Sequence, residues 1–256
     1  MKLSHYFFLL ALAVTAGCNT ATSKASADSK STEKLKWQEC TTPLRLATQT
    51  NPNAVMLTKL ESCRDWLSQP DAPAEALYYM GRLVYEIGDV DNALKWFSLG
   101  ASQGDEKALI AKLYLEDRRR DDWHPGSLGA EAYEALNQLA LSGNTSAMLL
   151  LAHHYLVSSI PPSDTEIIRA KELTREAAIN GDPIGEFQLG SMLVLESDSR
   201  VKQKGVDYLK SAAGHGVGAA QLMLIEIGAD TSQQSISVED TLFRYGTPED
   251  IAIRQP

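Results

Sequence analysis

A short phrase, Ala-x-x-Gly, returns four times at near-constant spacing and constrains the fold more than any other feature of the chain. It reads Ala101-Ser-Gln-Gly104, Ala140-Leu-Ser-Gly143, Ala178-Ile-Asn-Gly181 and Ala213-Gly-His-Gly216. The glycines lie 39, 38 and 35 residues apart. Self-similarity at such a period is the mark of stacked supersecondary units. Each glycine closes an apolar-periodic run, where a left-handed turn costs a residue without Cβ nothing. Asp105, Asn144 and Asp182 follow as good N-caps for a new helix. Four positions after each glycine comes a small residue, Ala108, Ala147, Gly185 or Ala220, which lets two helices approach closely. Each unit therefore reads as helix, loop, helix, tight turn.

The first unit shows the pattern most fully. The spacing of Ala76, Met80, Val84 and Ile87 predicts a helix over about 74–87. Gly88-Asp89 breaks it, and a second helix is expected over 91–102 with Ala93, Trp96, Phe97 and Gly100 along one side. Later second helices are expected near 128–141, 164–180 and 204–213. Another helical pair is expected within 35–70, and the repeats over 71–230. The tail, 231–256, is polar with two short apolar runs, Thr241-Leu-Phe and Ile251-Ala-Ile, and is expected to be irregular, with folding back as a cap the further reading.

These residues carry a resemblance. Ala76-x3-Met80-Gly81-x2-Val84-x2-Ile87-Gly88, followed by Ala93-x2-Trp96-Phe97-x3-Ala101-x2-Gly104, looks like a Sel1-like repeat, a relative of the tetratricopeptide repeat. Ala147-x3-Leu151-Ala152-x2-Tyr155 and Gly185-x3-Leu189-Gly190 resemble its first helix. The second unit departs: Lys112 stands where Leu is usual, and the loop from Arg118 to Gly129 is longer. The resemblance implies an all-α, right-handed α-solenoid that mediates protein–protein contacts. It also implies a groove lined by the first helix of each unit. The residues implied to line it are Tyr78, Arg82, Tyr85, Glu86, Tyr114, His153, Phe187 and Ser191, with Ile110 and Leu149 at matching positions. An aromatic and polar mixture suits peptide binding, since Tyr and Arg are enriched at interaction hot spots.

The N-terminal segment carries a second resemblance. After Lys2, the run Tyr6–Val14 is uncharged and apolar, too short to span a bilayer but long enough for a signal-peptide core. It ends in Thr15-Ala16-Gly17-Cys18, which resembles a bacterial lipoprotein box, with Thr15 where Leu is usual. The resemblance implies a signal peptide over 1–17, cleavage before Cys18 and a lipid on that cysteine. A plain secretory signal is the alternative. Asn19, rather than Asp, implies the outer membrane, facing the periplasm, in a Gram-negative host. Residues 19–34 hold no large apolar side chain and cannot bury enough surface to offset their chain entropy, so a flexible tether is expected. With Cys18 lipidated, Cys40 and Cys63 remain as an even pair. In an oxidising compartment such pairs persist as disulfides. The loop closed would be about 23 residues, worth roughly 3 kcal/mol in the chain-entropy model. Two unrelated buried thiols are the alternative.

Charge and motifs narrow the function. The chain has 24 basic and 33 acidic residues, net −9, with no basic stripe to neutralise phosphates, so no nucleic-acid partner is expected. Gly214-His-Gly216-Val-Gly218-Ala219 fits the letters of a dinucleotide fingerprint, but that motif needs a preceding strand. His153 and His154 are adjacent, and neighbours on a helix point about 100° apart, a poor arrangement for one metal. Arg118-Arg119-Arg120-Asp121-Asp122 is a mixed charge cluster that either docks a partner or is merely solvated. Trp123 beside it is expected to cover the core. No catalytic residue, metal site or cofactor is expected. The leading expectation is an envelope lipoprotein, anchored to the membrane by its N-terminal lipid, that binds an envelope protein or peptide. The alternative is an enzyme or binder acting on peptidoglycan or a β-lactam.

Overall fold

The computed structural model describes residues 72–124, 127–229 and 247–253, with Cys63, Arg64, Trp66 and Leu67. The expected signal peptide, Cys18, the tether, Cys40 and most of the 35–70 pair lie outside these residues. Cys63 and Leu67 are helical and buried. Ten helices follow: α1 Ala74–Glu86, α2 Val90–Ser102, α3 Glu106–Asp117, α4 Ala130–Leu141, α5 Thr145–Val157, α6 Asp164–Ile179, α7 Pro183–Leu193, α8 Ser199–Gly214, α9 Gly218–Glu226 and α10 Pro248–Ile253. Consecutive helices from α1 to α9 pack on one another, and first helices also meet across units, α1 with α3 and α7 with α9. The described residues form an all-α solenoid of helix pairs.

The repeated phrase does what its chemistry requires. Gly104, Gly143, Gly181 and Gly216 all take positive φ, between 80° and 99°, the region a Cβ disfavours. The next residue caps the following helix. Asp105 accepts from Ala108 N–H, Asn144 from Ala147 N–H, and Asp182 from the N–H groups of Ile184 and Gly185. Each cap is worth about 1 kcal/mol. The fourth turn lacks a capping side chain: Val217 at the N-cap position is buried and makes no capping hydrogen bond.

Helix bounds follow from caps where periodicity misplaces them. The helix expected from 204 begins at Ser199, because Asp198 accepts from Arg200 and Val201 N–H. Within the tail expected to be irregular, Pro248–Ile253 is a short helix. Thr247 Oγ1 accepts from Asp250 N–H at 3.2 Å, and the Asp250 carboxylate accepts from Thr247 N–H at 3.1 Å. That reciprocal pair is a capping box.

First and second helices bury different amounts. Second helices bury one stripe: Ala93, Phe97 and Gly100 on α2; Ala132, Leu136 and Ala140 on α4; Gly205, Leu209 and Ala212 on α8. The first helix α5 is covered on several sides, with Ala147 to Ala152 all buried. Fully burying one such Leu contributes roughly 1.5–3 kcal/mol. Small residues sit where the helices touch. A Cβ on Gly81 would meet the Phe97 ring at 2.6 Å, and one on Gly205 would meet the backbone N of Val194 at 2.8 Å.

The divergent second unit is held by polar contacts. Lys112, in place of an apolar residue, pairs with Glu116 one turn on. The longer loop is clasped by Asp117, which accepts from Gly129 N–H at 2.7 Å and pairs with Arg120 Nε at 2.9 Å. Arg120 also donates to Ser127 Oγ at 3.2 Å.

Candidate peptide groove

The site is built where α10 packs against the first helices α3 and α5. Ile251, Ala252 and Ile253 are buried there to 1% exposure or less. The Tyr78 hydroxyl on α1 donates to the Ile253 carbonyl at 2.9 Å in a buried contact. At the other end of α10, Glu249 lies 3.6 Å from Arg118 Nη1, just past the end of α3. The same guanidinium donates to Tyr85 Oη at 3.4 Å and stands over two rings, Tyr114 at 5.6 Å and Trp123 at 5.2 Å. Such cation–π contacts are worth about 0.5–1 kcal/mol when exposed and more when desolvated.

Electrostatics follow from that arrangement. Burial, reinforced by the nearby Glu249 carboxylate, pushes the Tyr85 phenol up to about 12, although Arg118 opposes it. Burial also raises Tyr114, with Glu249 adding and Arg118 opposing. Both tyrosines are therefore neutral hydroxyls at physiological pH. Tyr85 hydrogen-bonds to the Glu249 carboxylate, and Tyr114 to Arg118.

The expected groove residues divide into groups. Tyr78, Tyr85 and Tyr114 converge on α10, with Tyr78 fully buried and the other two half-buried. Arg82 is buried on α1, and Glu86 is half-buried one residue past Tyr85. Ile110 and Leu149, at 0% and 1% exposure, are core residues. His153 is half-buried on α5; burial, followed by the neighbouring His154, holds its pKa below 6.5, so it is neutral. Its Nδ1 is buried with no hydrogen-bond partner. His154 packs 5.6 Å from the Tyr133 ring, beside a Tyr133–Tyr155 hydroxyl contact of 2.7 Å. Phe187 packs against the core cluster around Leu209 and Val217, and Ser191 donates to the Phe187 carbonyl at 2.8 Å within its own helix.

Arg118, Trp123, Glu249 and the apolar run 251–253 are the additions the sequence reading did not place in the groove. Trp123 lies over Arg118, where a lid on the core was expected. A signal for the tail helix exists in Thr247-Pro-Glu-Asp250. It carries an N-cap, Pro at the first helical position and a carboxylate at the third, directly before Ile251-Ala-Ile.

Helix pairs stacked in register, with one face of the first helices carrying a short peptide helix, define the class: an α-solenoid repeat protein. Among solved structures the chain is similar to a Sel1 repeat protein from Oxalobacter formigenes, at 20% identity and a TM-score of 0.50, over 82% of each chain. That likeness is one of fold. No protein-family model matches the sequence, and no curated protein matches it.

Proposed function

We propose that this chain is a lipid-anchored interaction module of the bacterial envelope, binding a protein or peptide through the first-helix face. The observation that carries the binding half is the occupied groove. The face bearing Tyr78, Tyr85, Tyr114 and Arg118 accepts a helical segment with full burial of its apolar side chains. Aromatic anchors around an arginine are what interaction hot spots are made of. The anchoring half rests on the Thr15-Ala-Gly-Cys18 segment, and the net charge of −9 favours no attachment by lipid headgroups alone. The oxidising compartment that goes with it favours a Cys40–Cys63 bond.

The test is a photo-crosslinking residue at position 114 of the full chain, in cells, read by mass spectrometry. The expected result is a defined envelope-protein adduct, reduced when Cys18→Ala removes the anchor. Turnover of a peptidoglycan or β-lactam substrate by the purified protein, abolished by a single substitution, would overturn the reading. The mature N-terminus should carry a lipid mass on Cys18, and a non-reducing digest should yield Cys40 linked to Cys63.

A further inference from the structure

We infer that the segment Thr247–Ile253 is a built-in competitor for the groove, and that the external ligand is a short peptide of the same chemistry. This rests on the groove being the binding face. The recognised pattern has three parts on the page. An acidic residue, Glu249, faces Arg118. Ile251 and Ile253, two and four residues further on, are both buried to 1% exposure or less. A backbone carbonyl, that of Ile253, receives the Tyr78 hydroxyl.

The helix has no independent means of staying in place. It is six residues long, and isolated helices shorter than about 12–15 residues are marginal in water. Its own capping box orders one end, but its position comes from the groove. Seventeen residues join Ala229, the last described residue after α9, to Thr247. A segment of the same chain binds its site intramolecularly, so an external peptide competes against an effective concentration and not a bulk one. Where that effective concentration is about 100 times the segment's own Kd, an external competitor is weakened about 100-fold. Access to the groove is therefore set by how well a partner's acidic–apolar peptide outbids the tail, and a partner that engages two sites at once gains the advantage.

The experiment uses the full chain and a labelled synthetic peptide with the sequence of residues 247–256. In the released variant, Ile251→Asp with Ile253→Asp, the tail cannot bury its apolar pair. The expected result is peptide affinity about 100-fold tighter for the released variant than for the wild type. Equal affinities, or no binding by a released variant whose helical circular dichroism matches the wild type, would overturn the inference. Should that double variant destabilise the solenoid, Ile251→Ala serves as the milder released form, and charge exchange within it decides the matter. Arg118→Glu in the released chain should weaken the peptide about fivefold. A peptide carrying Glu249→Arg should recover that loss. Failure to recover overturns the contact as a recognition element. A concentration-dependent dimer of the wild type that the peptide dissolves would assign the tail to a second copy, and overturn the intramolecular form. Peptide binding without any crosslinked envelope protein at position 114 would sink the proposed function and leave this inference standing; the converse pattern would do the reverse.

Discussion

Gly185→Ala should destabilise the protein, although the same exchange at Gly214 should stabilise it. Gly185 lies in the first turn of α7, and α6 packs across it. A Cβ there would stand 2.8 Å from the backbone N of Ala178 and 3.0 Å from both the carbonyl carbon and the Cβ of Ala177. Ordinary carbon contacts lie at about 3.5–4.0 Å, so α6 and α7 must part by roughly 0.5–1 Å. The obstacle is backbone, so no side chain can rotate away. Ala177, Ala178, Ile184 and Leu189, all buried, would lose contact as the helices separate. Overpacking of this kind costs about 1–3 kcal/mol. Ala gains back roughly 0.5–1 kcal/mol over Gly through helix propensity. The net expectation is a loss of about 1–2 kcal/mol. At Gly214, the last residue of α8, nothing lies within 4 Å of a built Cβ, so only the propensity gain of about 0.5 kcal/mol remains. Urea unfolding of both variants measures the contrast, with circular dichroism and tryptophan fluorescence followed together because repeat arrays can unfold in parts. A difference of about 2 kcal/mol corresponds to roughly 4–8 °C in Tm for a body of this size. Equal or greater stability of Gly185→Ala would refute the close backbone approach of α6 and α7.

Asp117→Ala should cost about 2–3 kcal/mol, because it leaves the Gly129 N–H and the Arg120 guanidinium without their shared carboxylate; hydrogen exchange at Gly129 should rise, and an unchanged rate would count against the clasp. His153 has its pKa held below 6.5 by burial, so the unfolded chain binds a proton first. Stability from this site is complete above 6.5 and falls as pH drops toward the folded value, and His153→Gln should flatten that part of the denaturation profile. Glu166, lowered to about 2 by the Ser163 capping box and by Ser159, acts in a separate window below 4.5, so it does not mask the histidine. Tyr85, pushed up to about 12 by burial and Glu249, should show no phenolate absorbance at pH values where free tyrosine ionises. Tail release by Ile251→Asp with Ile253→Asp should bring it down toward 10, and an unmoved titration would mean that the tail neither buries it nor brings Glu249 beside it.

Fold and site differed in how far they could be read from residues. The turns were legible because their requirement is local: a glycine with φ near 90°, then a short side chain that accepts an N–H three positions on. The Gly81, Gly185 and Gly205 approaches were legible in part, since a small residue inside a helix points to close packing without naming its neighbour. The start of α8 was missed because apolar periodicity begins later than the Asp198 cap does. Tyr85 and Tyr114 were named by register, but their position beside Arg118 and Glu249 was not. Arg118 read as one member of a charged run, because nothing local distinguishes it from Arg119, which pairs with Asp91 on α2, or Arg120, which clasps the loop. Only long-range packing sends one of three adjacent arginines to the tail.

The burial of the first helices explains why a peptide site arises on this face. A second helix such as α4 keeps a polar side, so three buried positions suffice. In α5 the run from Ala147 to Ala152 is buried on every side, which one partner helix cannot achieve. The α4 and α6 packings cover two sides, and α10 contributes on a third. On α1 the Tyr78 ring is fully buried beside Phe97, with its hydroxyl aimed at the tail. The groove is therefore a surface that needs an occupant. A water-exposed version of it would leave the apolar side of α3 and α5 bare. The chain's own tail meets that need, and the inferred ligand is a peptide of the same acidic–apolar pattern. On the inferred competition, exchange between the two requires little net change in burial, so partner concentration decides between them.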